Sequence, residues 1–207
     1  MLQIEGIKLN LEEDEGVLVR RAAAAVRAAP EDVGELRILR KALDAREGAR
    51  WVYTVRISVK NEEKVLRRQR GRGVSRVTES PYRLPRPISA PELPRVVPGA
   101  GPGGLFCGLA LARCGARPVL LERGWDVERR QADVERFWET GELDLQSNVQ
   151  FGEGGAGAFS DGKLNTGTRD KRISAVLEAL AAAGAPADIM WSHKPHIGTD
   201  VLRDVVK

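Results

Sequence analysis

The chain has 207 residues, 42% of them hydrophobic, which is enough for one large or two small globular domains. Its N-terminus alternates apolar with charged residues and no apolar run has the length of a membrane span, so we expect a cytoplasmic protein with no signal peptide and no membrane segment. The formal net charge is +4, but the 33 basic side chains are spread over most of the chain, so we do not expect a nucleic-acid partner.

The first 80 residues predict six short elements in the order strand, helix, strand, strand, helix, strand. This order is typical of a small ferredoxin-like α+β domain, which we predict for residues 1–80. The predicted elements are a strand at Leu2–Asn10, a helix within Leu11–Pro30, strands in "ELRILRKAL" and "RWVYTVRISVK", a helix at Glu62–Gln69 and a strand near Val74–Thr78.

The strand "RWVYTVRISVK" has two different faces. Trp51 and Tyr53 alternate in step with Val55, Ile57 and Val59, while the other face carries Thr, Arg, Ser and Lys. An RNA-recognition sheet is the alternative for a basic domain with aromatic strand residues, but it would expose its rings for base stacking. The shared aliphatic face predicts that both rings are buried.

A Pro-rich segment separates the two halves of the chain. We assign residues 81–94 to a linker between the domain at 1–80 and a second domain at 95–207, because proline cannot donate regular backbone hydrogen bonds. The basic run from Leu66 to Arg76 is interpreted as a solvated connector, with a phosphate-binding stripe as the alternative.

The second domain opens with a dinucleotide-binding fingerprint. A short strand at Arg95–Val97 is followed by Gly99, Gly101 and Gly104, by an apolar helix that ends at Gly115, and by a strand that closes on Glu122. In a Rossmann unit the glycines allow the tight turn, the approach of a pyrophosphate and close packing of helix on strand, while the acid binds ribose hydroxyls. The pyrophosphate would lie at the helix N-terminus. An acid at this place favours FAD or NAD over a 2′-phosphorylated cofactor.

Several stretches closely resemble the bacterial family of FAD-dependent dehydrogenases, also called NAD(FAD)-utilising dehydrogenases. They are "VVPGAGPGGLF", "PVLLERGWDVERRQADVERFW", "TGELDLQSNVQFGEGGAGAFSDGKLNTG" and "KPHIGTDVLRDVVK", with "LRILRKALDAR" and "WVYTVRISV" nearer the N-terminus. The resemblance implies an FAD-binding oxidoreductase in which the flavin carries the hydride, NAD(P)H is a candidate electron donor and the substrate is unknown. It implies an α/β chain with an incomplete, doubly wound Rossmann-like domain over residues 95–207.

The same resemblance implies which residues contact the cofactor. The segment "GEGGAGAFSDGK" is similar to a glycine-rich loop near the pyrophosphate and the flavin ring, where backbone N–H groups and the Ser160 and Lys163 side chains would meet anionic oxygens. The implied cofactor-binding residues are Gly99, Gly101, Pro102, Gly103, Gly104, Glu122, Arg123, Gly154, Gly155, Gly157, Ser160, Gly162 and Lys163.

Two features depart from that pattern. Pro98 replaces a branched apolar residue before the first glycine, which predicts a lost backbone donor at the strand end. The family continues past Lys207, so we expect a fragment or truncated product. The alternative function is a non-catalytic remnant whose N-terminal domain folds and binds a partner.

The remaining motifs predict no chemistry of their own. Cys107 and Cys114 lie too far apart on one helix to form a disulfide and are expected to be buried, small apolar side chains. His193 and His196 have metal-pair spacing, but Pro195 interrupts the helical geometry and no Cys lies near, so no metal site is expected. No catalytic residue can be named.

Overall fold

A computed structural model describes residues 1–68, 73–78, 80–85 and 94–207. The chain is mixed α/β, with one antiparallel and one parallel sheet. It divides into two compact units, residues 1–80 with 190–193 and residues 81–189 with 194–207. Residues 86–93 of the predicted linker and residues 69–72 of the basic run lie outside the described residues.

The first unit is built on a four-stranded sheet. Its elements are β1 (Leu2–Asn10), α1 (Leu18–Val26), β2 (Val33–Asp44), β3 (Arg50–Val59), α2 (Glu62–Arg68) and β4 (Val74–Arg76). The strands follow the spatial order β2-β3-β1-β4, and each neighbouring pair is antiparallel.

One face of this sheet forms the core with α1 and α2. Tyr53, Val55, Ile57 and Val59 of β3 are buried there, which confirms the predicted inward face at these four positions. Trp51 was expected to be buried as well but is only half-buried at the start of the strand. Each large apolar side chain fully buried in this way stabilises the fold by about 1.5–3 kcal/mol.

Residues 190–193 add to the outer edge of β2. The Lys41 N–H donates to the Trp191 carbonyl at 2.8 Å, and the His193 N–H donates to the Lys41 carbonyl at 3.0 Å. Backbone groups at an edge strand need partners when they are covered. A segment from near the C-terminus therefore supplies hydrogen bonds to the N-terminal sheet.

The second unit begins with a parallel strand–helix–strand arrangement. The elements are β5 (Arg95–Pro98), α3 (Pro102–Arg113), β6 (Pro118–Leu121), α4 (Val127–Thr140), α5 (Arg172–Ala182) and α6 (Thr199–Val206). Strands β5 and β6 pair in parallel, with Val97 opposite Leu120, and α3 connects them. Helix α4 starts at the Asp126 cap, whose carboxylate accepts the Arg129 N–H at 2.9 Å.

The two faces of the β5–β6 sheet differ in burial. Val97 is buried on the α3 side, where the Leu120 side chain also lies against Gly108. Val96 and Leu121 are 54% and 57% exposed on the opposite face. A parallel sheet normally has both faces covered, so this face is open within the part of the chain that the structure describes.

Helix α3 corrects one expectation about the cysteines. Cys114 is buried as expected, but Cys107 is exposed. Cys107 and Gly108 are adjacent on the helix, and it is Gly108 that packs against β6. Successive helical residues point about 100° apart, which turns Cys107 away from the sheet.

Within residues 1–68, 73–78, 80–85 and 94–207, no helix is both long enough and apolar enough to cross a membrane. Nor do three or more His, Cys, Asp or Glu side chains from the described residues converge as a metal site would require.

Candidate functional site

The loop between β5 and α3 needs glycine at its first and last fingerprint positions. Gly99 has φ +91°, a conformation that L side chains rarely adopt, and its N–H donates to the Leu121 carbonyl at 2.6 Å. A Cβ at Gly104 would overlap the carbonyl oxygen of Gly99. Both glycines are therefore required by the fold itself.

The middle of the same loop is different. Gly101 has φ −70°, which any residue adopts, and a Cβ there would have no atom within 4 Å. A Cβ at Gly103 would also meet open space. Neither backbone strain nor packing among the described residues explains these two glycines. The space beside them leaves the backbone at the N-terminus of α3 accessible, with Pro102 at the first helical position.

Glu122 lies against this loop. One of its carboxylate oxygens accepts the Ala100 N–H at 2.6 Å and the other accepts the Gly124 N–H at 2.9 Å. Burial acts to raise the pKa of Glu122, but backbone hydrogen bonds, led by those from Ala100 and Gly124, outweigh it, and the pKa lies below its ordinary value. The side chain is thus held ionised beside the glycine loop.

The second glycine-rich segment, residues 152–163, lies against the first glycine loop. The Gly154 N–H donates to the Ala100 carbonyl at 2.8 Å. Gly155, with φ +64°, lies so close that its Cβ would be 3.1 Å from Cδ of Pro102 and 3.4 Å from Cα of Gly101. A Cβ at Gly157 would meet open space. The structure therefore brings the two predicted loops together.

The other predicted cofactor contacts have different surroundings. Arg123 is exposed and its guanidinium lies 4.2 Å from the Phe151 ring centroid. The Ser160 hydroxyl donates to the Gly157 carbonyl at 2.8 Å. Gly162 accepts the Ile197 N–H at 3.0 Å, and Lys163 forms an exposed ion pair with Asp161 at 2.5 Å.

Lys163 also lines a separate cavity. This open cavity measures about 460 Å³ and is bounded by α5 and the segment before it. Its described lining residues are Lys163, Leu164, Asn165, Thr166, Thr168, Asp170, Arg172, Ile173, Val176, Leu177 and Leu180.

Sequence reasoning missed Arg130, which is fully buried on α4. Its guanidinium donates to carbonyl oxygens within residues 148–155, which enter the second glycine segment, and lies 4.8 Å from the Phe159 ring centroid. The carbonyl acceptors are those of Asn148, Val149, Glu153 and Gly155. Burial lowers the pKa of Arg130, against the opposing fields of Glu122 and Glu153. The available signal was its spacing, because Val127, Arg130 and Val134 form the buried stripe of α4.

The position of Pro98 explains why the sheet tolerates it. Pro98 is exposed at the end of β5, and the next N–H, that of Gly99, is directed to β6. Successive peptide groups of a strand point to opposite sides, so the Pro98 nitrogen faces away from β6. The donor that proline lacks is therefore not one that the β5–β6 pair uses.

Comparisons with known proteins identify two similarities. Residues 1–60 match a family described as a domain of unknown function, DUF8436. A protein of Clostridium beijerinckii, named only as uncharacterized, is 43% identical over 212 residues. That similarity covers 100% of this chain but 39% of the relative, so the chain spans about two fifths of its length.

These findings correct the family prediction. The chain was predicted to belong with bacterial FAD-dependent dehydrogenases, yet the similarities found are to a domain of unknown function and to an uncharacterised protein. The prediction of that family is wrong. Glycine-rich loops of this kind meet a backbone requirement that occurs in unrelated families, so they do not identify one family.

Proposed function

We propose that the second unit binds FAD and that the chain is the cofactor-binding part of an oxidoreductase. One observation carries the proposal: Gly101 and Gly103 leave open space at the start of α3 that neither φ nor packing among the described residues demands. A cradle without side chains is what the approach of a pyrophosphate to a helix N-terminus requires.

The surrounding donors fit such a ligand. The helix dipole and the N–H groups of the first turn of α3 favour an anion. Glu122 accepts the Ala100 and Gly124 N–H groups, and hydrogen bonds from the Arg123 and Gly152 backbone also lower its pKa. To accept ribose hydroxyls, the carboxylate would have to exchange some of these backbone donors for the ligand.

The fold supports a Rossmann-like second unit and a ferredoxin-like first unit as part of this proposal. A parallel strand–helix–strand unit with the glycine loop at the carboxyl end of its first strand is the core of a Rossmann-like domain. The strand order β2-β3-β1-β4 with two helices on one face supports a ferredoxin-like first unit.

The chemistry would come from the flavin, which accepts a hydride when bound. NAD(P)H is the proposed donor, and the chain's own residues would bind and orient the cofactor. Gly154, Gly155 and Gly157 would form the second wall of the site. Ser160, Gly162 and Lys163 stay predicted contacts, and Lys163 would have to exchange Asp161 for the ligand.

The substitution Gly101→Val tests the proposal. Because a Cβ at residue 101 meets no atom within 4 Å and its φ of −70° suits valine, the variant should unfold at the wild-type temperature. The added side chain should block the pyrophosphate and weaken binding of FAD at least about tenfold, equivalent to about 1.4 kcal/mol. Calorimetric titration of the 207-residue protein measures this.

Gly167→Val is the matched control. A Cβ at Gly167 would also have no atom within 4 Å, but Gly167 lies on neither glycine loop. The Gly167 variant should therefore bind FAD with the wild-type affinity. Equal FAD affinity in the Gly101 variant and the wild type would overturn the proposal, as would a wild-type protein that binds neither FAD nor ADP.

A further inference from the structure

Arg130 is a buried cation that the proposed function does not yet use. Its side chain is 0% exposed, and its described partners are neutral carbonyl oxygens rather than a carboxylate. Its Nε is buried without a hydrogen-bond partner among the described residues. Burying a charge without an ion pair costs free energy. We therefore expect the charge or the hydrogen bonds of Arg130 to have a role in the fold or in ligand binding.

The bonds of Arg130 fix which way the second glycine segment faces. A trans peptide points its C=O and its N–H in opposite directions. The Glu153 carbonyl accepts from Arg130, and the N–H of the same peptide, on Gly154, donates to the Ala100 carbonyl of the first loop. The guanidinium and the first glycine loop thus hold opposite ends of one peptide.

Arg130 also holds a second carbonyl of this segment, two residues further on. Gly155 offers its oxygen to both terminal nitrogens of Arg130 at 3.1 Å. The N–H of that peptide belongs to Ala156 and is therefore directed away from the guanidinium. Ala156 is exposed and begins a four-residue 3-10 helix.

The local packing is shaped around the arginine. Gly152 has φ +104°, and a Cβ there would overlap Cδ of Arg130. Phe159 covers the guanidinium from another side, with 4.8 Å between them. These contacts fix the position of the Arg130 side chain, so that it can hold the carbonyl groups of the loop in a fixed orientation.

We propose that Arg130 is the positioning residue that holds the Glu153 and Gly155 carbonyls, leaves the Ala156 N–H directed away from itself, and gives the site its preference for a diphosphate over an uncharged nucleoside. The inference rests on the proposed function. The Gly154 and Gly155 N–H groups already donate to the Ala100 and Gly152 carbonyls, which leaves the Ala156 N–H for a ligand. The buried positive charge of Arg130, which the carboxylates of Glu122 and Glu153 offset in part, also favours an anion, and this advantage grows with the charge of the ligand.

Calorimetric titration with ADP, AMP and adenosine tests the inference in wild type, Arg130→Gln and Arg130→Lys. Arg130→Gln should weaken ADP at least about tenfold, AMP less, and adenosine less than about twofold. Arg130→Lys keeps the charge but not the fork of donors, so it should lose part of the ADP affinity. Arg129→Gln is the control, because this neighbour is exposed and stacks on the Trp125 ring.

The outcomes separate the two proposals. A wild type that binds neither ADP nor FAD overturns the proposed function and with it this inference. Wild-type binding of ADP with an equal loss of ADP, AMP and adenosine in the Arg130 variants assigns Arg130 a structural role only and overturns this inference alone. Where Arg130→Gln does not fold by circular dichroism, Arg130→Lys decides: unchanged ADP affinity, or equal losses for ADP and adenosine, overturns it.

Discussion

Gly103 and Gly104 are neighbours in one helical turn, yet only one is needed by the fold. A Cβ at Gly104 would meet the Gly99 backbone, whereas a Cβ at Gly103 meets open space. We predict that Gly104→Ala lowers the free energy of unfolding by about 1–3 kcal/mol because backbone atoms must shift. Gly103→Ala should leave it unchanged or raise it by less than about 1 kcal/mol. Urea denaturation of both variants measures the difference, and equal stabilities would contradict the packing described for Gly104.

Glu122 carries a stability effect that depends on pH. Its folded pKa lies below the ordinary 4.5, so its contribution is complete above that value and is lost as the pH falls through the folded pKa. Glu122→Gln, which removes the charge, should cost about 1–2 kcal/mol at pH 7, and the gap to wild type should narrow below pH of about 4.5. Thermal unfolding across this range measures the gap. Glu139→Gln, at an exposed position on α4, is the control, and a constant gap for Glu122→Gln would refute the role of the charge.

At the scale of elements, the β5–β6 pair has a covered face and an open face. Val97→Ala should destabilise the protein by about 1–3 kcal/mol because it leaves a void beneath α3. Leu121→Thr should change stability by less than about 0.5 kcal/mol, since Leu121 is 57% exposed. It should also reduce binding of a dye that reports exposed apolar surface. Similar destabilisation by both substitutions would show that the open face is covered in solution.

The elements also show how far sequence reasoning reaches. The alternation in β3 predicts its buried face, because a period of two leaves one consistent assignment for Tyr53 and its neighbours. The glycine spacing predicts the loop before α3 because Gly99 and Gly104 are required there by the local backbone conformation and by close backbone contact. Arg130 could not be assigned from the sequence, since its acceptors lie 18 to 25 residues away on an irregular segment whose path no periodicity encodes.

At the scale of the whole molecule, the first unit combines a local core with a distant edge segment. Residues 1–80 contain the sheet, both helices and every residue of the first core. We predict that a 1–80 fragment folds cooperatively, while the Lys41 amide, which bonds to Trp191 in the full chain, loses protection from hydrogen exchange. Exchange measured by NMR on fragment and full chain tests this. An unfolded fragment would show that residues 190–193 are essential to the sheet.

The similarity to the Clostridium beijerinckii protein covers 39% of that protein. The proposed cofactor cradle lies within the second unit of this chain, because Gly99 to Gly104, Glu122 and Gly154 to Gly157 all belong to that unit.

Mapping of ADP by NMR tests the central claim most directly, because it locates the ligand rather than only detecting it. On titration into the ¹⁵N-labelled 207-residue protein, we predict the largest amide shifts at Gly101, Gly103, Gly104 and Ala156. Shifts confined to the cavity beside α5, or no shift at millimolar ADP, would contradict a dinucleotide site at the glycine loops.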